Sequence, residues 1–239
     1  MKTKIQLYKI GLMFIVGMTT VVHSSNSTDI FVERLKEMNT HLLSAHITSL
    51  NYLTDQQSTI SRIISTHTLD VIAETSNAIV YMDALEKQSH IRLNRKTDLK
   101  RPCWLYNFYQ INHMTADNLS VLSKCGIDNI NSTIALSTRY FHSMVNTMLY
   151  ESALGTTNAL HAIGMYNPMS EQWKISRTLE SVVKFSVDGW NGTMSIVDDE
   201  VKQYRDGVER NFQKLEECET NVVQKFSNAK IEVTTSKCV

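Results

Sequence analysis

The chain has 239 residues, with 24 basic and 24 acidic side chains and a formal net charge of zero. Eight glycines and two prolines are too few for an all-β protein, whose frequent turns draw on both. An evenly mixed charge gives no electrostatic reason to bind nucleic acid or anionic lipid.

The first residues read as a secretory signal. Lys2, Lys4 and Lys9 precede an uncharged apolar run from Ile10 to Val22, and Val22-His23-Ser24 offers compact residues for cleavage. The run is about 13 residues long, short of the roughly 20 that a membrane span needs. We therefore expect residues 1–24 to be removed and the protein to be secreted, with no membrane span after cleavage. That step takes three of the 24 basic residues and no acidic one, so the mature chain is weakly acidic.

Between Asn26 and Arg101 there is neither glycine nor proline. Phe31, Leu35, Met38, Leu42 and Ala45 step by three and four. Ile60, Ile63, Ile64, Val71, Ile72, Ile79, Met82 and Leu85 continue the pattern. This is the spacing of an amphipathic helix. Ser, Thr, Asn and His are mediocre helix formers, so one break is expected, near Asn51 to Asp55 or near Thr66 to Thr68. The segment 25–101 reads as a long helical unit ahead of a four-cysteine helical bundle over 102–239.

Pro102 suits the first turn of the next helix, where its missing N–H would be unpaired anyway. Trp104, Leu105, Phe108, Ile111 and Leu119 follow, and Gly126 offers a stop. A further helix is predicted from about Ser132 to Leu154, with Ile134, Tyr140, Phe141, Met144, Val145 and Met148 on its apolar side and Gly155 at its end. Gly164 and Asn167-Pro168 mark a loop. Ser170 can cap the next helix, with Glu171 and Gln172 in its first turn and Trp173, Leu179, Val182 and Val183 as its apolar face. Gly189 and Asn191-Gly192 read as a turn. From Val197 to Phe226 a three-four pattern returns, and Ile231 to Val239 reads as an extended strap. The expected fold is all-α: an elongated bundle of about five or six helices, stapled by two disulfides.

The cysteines are Cys103, Cys125, Cys218 and Cys238. In an oxidising compartment an even count implies two bridges. Cys103 and Cys125 are 22 residues apart, roughly 33 Å along one straight helix, whereas a disulfide needs Cα atoms within about 7 Å. Each must then pair with Cys218 or Cys238, in either combination.

Four Asn-x-Ser/Thr sequons, at Asn26, Asn118, Asn131 and Asn191, are candidate glycosylation sites in a secreted chain. Asn131 and Asn191 sit at predicted turns, Asn118 inside a predicted helix, and Asn26 close to the cleavage point. The histidines lack metal-ligand spacing. Asp198-Asp199-Glu200 lacks the glycine and alternating ligands of a calcium loop and reads as the solvated first turn of the last helix. There is no Gly-x-Ser-x-Gly elbow and no glycine-rich phosphate loop. No cysteine is left over as a nucleophile once two bridges form. No catalytic residue, metal or cofactor is expected. Trp104, Tyr106, Phe108 and Tyr109 cluster beside Cys103. They form either a core around a disulfide or, with Tyr140, Met144 and Met148, the lining of a pocket for an apolar ligand.

The Cys-Trp-Leu-Tyr-Asn-Phe-Tyr stretch at 103–109, Cys125 about twenty residues on, Leu-Glu-Glu-Cys at 215–218 and the final Cys238 together resemble the insect TsetseEP-domain family. The likeness covers roughly residues 95–239, without a Glu-Pro repeat tail. It implies a secreted helical glycoprotein of gut or body fluid, and carries over no active-site position. The expected function is that of a non-enzymatic extracellular glycoprotein. Its partner would be a protein, a glycan or a microbial surface. The second expectation is a carrier of a small apolar ligand held between helices.

Overall fold

A computed structural model describes residues 26–96 and 99–235, with side chains from residue 31 to residue 234. The signal segment and Cys238 lie outside the described residues. Among the described residues there are three helices and no strand: α1 (Asn26–Asn94), α2 (Arg101–Gly164) and α3 (Gln172–Thr235). The all-α expectation holds, but not the five or six helices. No break interrupts α1 at Asn51–Asp55 or Thr66–Thr68, Gly126 and Gly155 lie inside α2, and Gly189 and Asn191-Gly192 lie inside α3. The strap expected from Ile231 is helical as far as Thr235.

At three of the helical glycines a neighbouring helix fills the space where a side chain would stand. A Cβ on Gly126 would lie 2.8 Å from the Thr75 hydroxyl, and one on Gly155 would lie 3.0 Å from Ser186 Oγ. On Gly207 it would meet Leu136 Cδ2 at 2.6 Å. Each glycine costs roughly 1 kcal/mol of helix propensity, offset by the close approach it permits.

The predicted loop at Gly164 to Pro168 is present. Asn167 organises it: its side-chain oxygen accepts from the Met169 amide at 2.9 Å, and its carbonyl accepts from the Glu171 amide at 2.8 Å. The residue at the head of α3 is Glu171 rather than Ser170. Its carbonyl accepts from the amides of Lys174 and Ile175, and its carboxylate accepts from the Asn167 amide at 3.1 Å. Pro102 falls in the first turn of α2, as proline's fixed φ favours.

Burial follows an eleven-residue row on every helix. On α1 the row is Met38, Ser49, Ile60, Val71, Met82 and Leu93; on α2 it is Ile111, Leu122, Thr133, Met144 and Gly155; on α3 it is Ile175, Ser186, Val197, Val208, Glu219 and Lys230. Eleven residues in three turns is about 3.67 per turn, close to the natural 3.6 of a helix. Several apolar residues assigned to buried faces fall off this row. Ile72, Leu105, Ile134 and Trp173 are exposed.

The helices contribute to two compact units. One is the described part of Met1–Gln57 with Phe141–Glu200; the other is the described part of Ser58–Tyr140 and Val201–Val239. The core of the first is Phe31, Met38, Ala159, Ala162, Ile175 and Leu179. The core of the second gathers Val71, Met82, Leu122, Leu215, Val222 and Phe226 around Cys125. Cys125 is bonded to Cys218, with Cα atoms 6.2 Å apart, so Cys125 does not pair with Cys103. One disulfide thus stands among the described residues, where two were expected; a second would need Cys238. No described helix is long and apolar enough to cross a membrane.

Candidate functional site

The second unit carries three polar levels along its core, each built by side chains from more than one helix. At the first, His67 of α1 donates from Nε2 to Asn129 Oδ1 of α2 at 2.8 Å. Asn129 donates in turn to the Asn211 carbonyl of α3 at 2.5 Å, and Asn211 donates to Thr133 Oγ1 at 3.2 Å. His67, Asn129 and Thr133 are buried, and Phe212 presents its ring edge-on to His67. The sequence pointed only to scattered histidines. The fold joins one of them to two asparagines remote in the chain.

At the second level, Thr75 of α1 donates to Glu219 Oε1 of α3 at 2.7 Å, beside the Cys125–Cys218 bridge. Glu219 is buried, and its Oε2 has no hydrogen-bond partner. Burial pushes its carboxyl above the usual range, aided by the like charges of Glu74 and Glu216 and opposed by the Thr75 hydroxyl.

At the third level, near the α1–α2 connection, Trp104 and Phe108 stack with ring centroids 5.2 Å apart. His90 lies 4.5 Å from Phe108, and Tyr109 meets Phe108 edge-on. The Trp104 indole donates to Asn94 Oδ1 at 3.1 Å. Lys230 of α3 is buried here and donates to Gln88 Oε1 at 3.4 Å.

The residues expected to line one apolar pocket do not converge. Trp104 and Phe108 pack against each other. Tyr140 lies about 32 residues further along the same helix, roughly 48 Å away, where its ring meets Tyr204 at 5.9 Å. Met144 is buried in the first unit. Tyr204 itself is enclosed and its hydroxyl has no partner, so burial pushes its pKa up to about 12.

In the first unit, Tyr52 donates to Asp198 Oδ1 at 2.5 Å and Gln56 donates to the same oxygen at 3.2 Å. Burial, then the Asp198 carboxylate, drives the Tyr52 pKa up. The Asp198 expected in a solvated first turn therefore ties α3 to α1, in mid-helix. A groove in this unit lined by Arg34, Glu37, His41 and Glu180 has a volume of about 150 Å³. Small-molecule sites run from roughly 300 to 1,000 Å³.

Of the sequon asparagines, Asn131 and Asn191 are exposed, though on continuous helices rather than turns. Asn118 is half-buried, its amide donating to the Met114 carbonyl at 2.7 Å. The side chain of Asn26 lies outside the described ones. Among the described residues no group of three His, Cys, Asp or Glu side chains is placed to hold a metal ion.

No family model, curated protein or solved structure matches this chain.

Proposed function

We propose that this is a secreted, non-enzymatic glycoprotein that binds another protein through the outer face of α1 in the second unit. The observation that carries this is a row of large apolar side chains in solvent. Leu69 is 67% exposed, Ile72 55%, Val80 64% and Ile91 52%. All four are on one helix, and helical spacing places them within a quarter turn or so of one direction. Soluble proteins scatter single apolar residues over the surface, whereas four large ones on one helical face, interrupted by the Asp83–Lys87 ion pair between Val80 and Ile91, support a contact surface. The sequons favour the same face. Asn118 and Asn131 are on α2 and Asn191 on α3, and none lies between Ser27 and Asn94 of α1. Glycans would leave the apolar row of α1 bare.

The setting in insect gut or body fluid rests on the TsetseEP resemblance. The secreted location rests on the signal-like leader, and the Cys125–Cys218 bridge is compatible with it. A carrier of an apolar ligand is disfavoured by the spread of its would-be lining along α2.

The test is expression of the full chain with its leader in insect cells, then cross-linking in extracellular fluid. A secreted product that shrinks on glycosidase treatment is expected. So is a cross-linked partner that the Ile72→Glu, Val80→Glu double variant loses at unchanged helicity. Intracellular retention, or equal cross-linking by the variant, would sink the reading. An apolar mass retained in native mass spectrometry would favour the carrier.

A further inference from the structure

We propose that the Lys230 level of the second unit is a binding site for an oxyanion of the sulfate or phosphate class, held by Lys230 with Arg92 and Lys96. Lys230 occupies an inward position of the eleven-residue row on α3, following Val197, Val208 and Glu219, and is only 5% exposed. A buried ammonium carries three donors and is costly to desolvate unless they are met. The described residues meet one, through the long 3.4 Å bond to Gln88 Oε1.

Other cations surround it. Gln88 and Arg92 are four apart on α1 and so share a face, and Lys96 follows two residues past the end of that helix. That face is turned to α3, because Gln88 touches Lys230 and Lys96 Nζ donates to the Thr234 carbonyl. Arg92 lies between them and is close enough to lower the Lys230 pKa, after the larger effect of burial.

No carboxylate among the described residues answers this charge. The ion pairs between described residues of the second unit join Asp83 to Lys87, Glu86 to His90 and Asp117 to His113, none of them at Lys230. A second unmet donor lies near this level on α2. Asn107 is 1% exposed and its Nδ2 has no acceptor; its neighbour Phe108 touches His90, within a turn of Gln88 and Arg92. Tetrahedral oxyanions supply several acceptors and the opposite charge from one small group. Arginine and lysine are the side chains that bind them best. Exposed Arg92 leaves the site open on one side.

The anion can be free, or an ester on a glycan. Both sources are separated by thermal unfolding of the full, disulfide-intact protein. Sodium sulfate and sodium phosphate are titrated at constant ionic strength against chloride, beside a sulfated disaccharide. A saturable rise in midpoint is expected with sulfate or phosphate. Lys230→Met, which keeps length at a core position, should unfold no earlier than wild type in chloride and lose the saturable rise. Arg92→Gln, at an exposed position, should weaken the apparent Kd at least tenfold even if Lys230→Met fails to fold. A disaccharide at least tenfold tighter than inorganic sulfate identifies an ester as the ligand; equal or weaker binding identifies the free ion. A rise that never saturates, or one that both variants retain in full, overturns the proposal.

Discussion

The Thr75 hydroxyl of α1 donates to the buried Glu219 carboxylate of α3 at 2.7 Å, one residue along from the cysteine that bridges α3 to α2. Glu219 occupies a position in the inward row of α3 that also holds Ile175, Val197 and Val208. Its charge is held in the core by one neutral donor. From α2 the residue at this level is Gly126, which brings no charge.

That arrangement makes stability depend on pH. Burial first, then Glu74 and Glu216, raise the folded pKa of Glu219 above its reference value of 4.5. The neutral acid is the form the fold favours. Its contribution is therefore complete below about 4.5 and is lost as pH rises through the folded value. Glu219→Gln should stabilise the protein by about 1 kcal/mol at pH 7, with the gain vanishing below pH 4.5. Urea unfolding of both proteins across pH 4 to 8 measures this. A gain that is the same at every pH contradicts it.

Thr75→Val removes the one hydrogen bond made to Glu219 and leaves both carboxylate oxygens unmet. A loss of about 1–3 kcal/mol is expected at neutral pH. In the Glu219→Leu background the same substitution should cost much less, because the acceptor is gone. A double-mutant cycle reads the difference directly.

The glycines should divide by what faces them. Gly126→Ala places a Cβ 2.8 Å from the Thr75 hydroxyl and should destabilise, despite alanine's better helix propensity. Gly192→Ala meets nothing within 4 Å and should stabilise by about 1 kcal/mol. Thermal midpoints moving in the same direction for both would contradict the close helix approach at Gly126.

Asn129 joins three helices by accepting from His67 and donating to the Asn211 carbonyl. Asn129→Ala orphans both partners in a buried place, and about 2–3 kcal/mol should be lost. Asn131→Ala, exposed two residues on, should change stability by less than about 0.5 kcal/mol.

Separating Cys125 from Cys218 by double substitution to Ala should lower stability by about 2–4 kcal/mol. Peptide mapping of the unreduced protein should recover these two cysteines in one linked pair. Recovery of Cys125 linked to Cys103 would contradict both the structure and the helix geometry that excludes it.

Much of the fold was readable in the residues. Scarce glycine and proline, together with three-four spacing, specify helix because both act locally, through backbone freedom and the angular step of side chains. Asn167-Pro168 marked a true chain reversal, since asparagine can close a turn on its own backbone and proline restricts the residue before it. The exclusion of a Cys103–Cys125 bridge followed from helix rise alone. Tertiary packing decided what local chemistry left open. Gly126 and Gly155 looked like helix ends, but a glycine signals only a missing side chain. Thr75 and Ser186 occupy that space, so the helices run on. Ile72, expected on a buried face, is exposed, whereas Glu219 and Lys230, which no apolar pattern picks out, lie inside. Inward positions recur every eleven residues, and only neighbouring helices determine which polar side chains that row encloses.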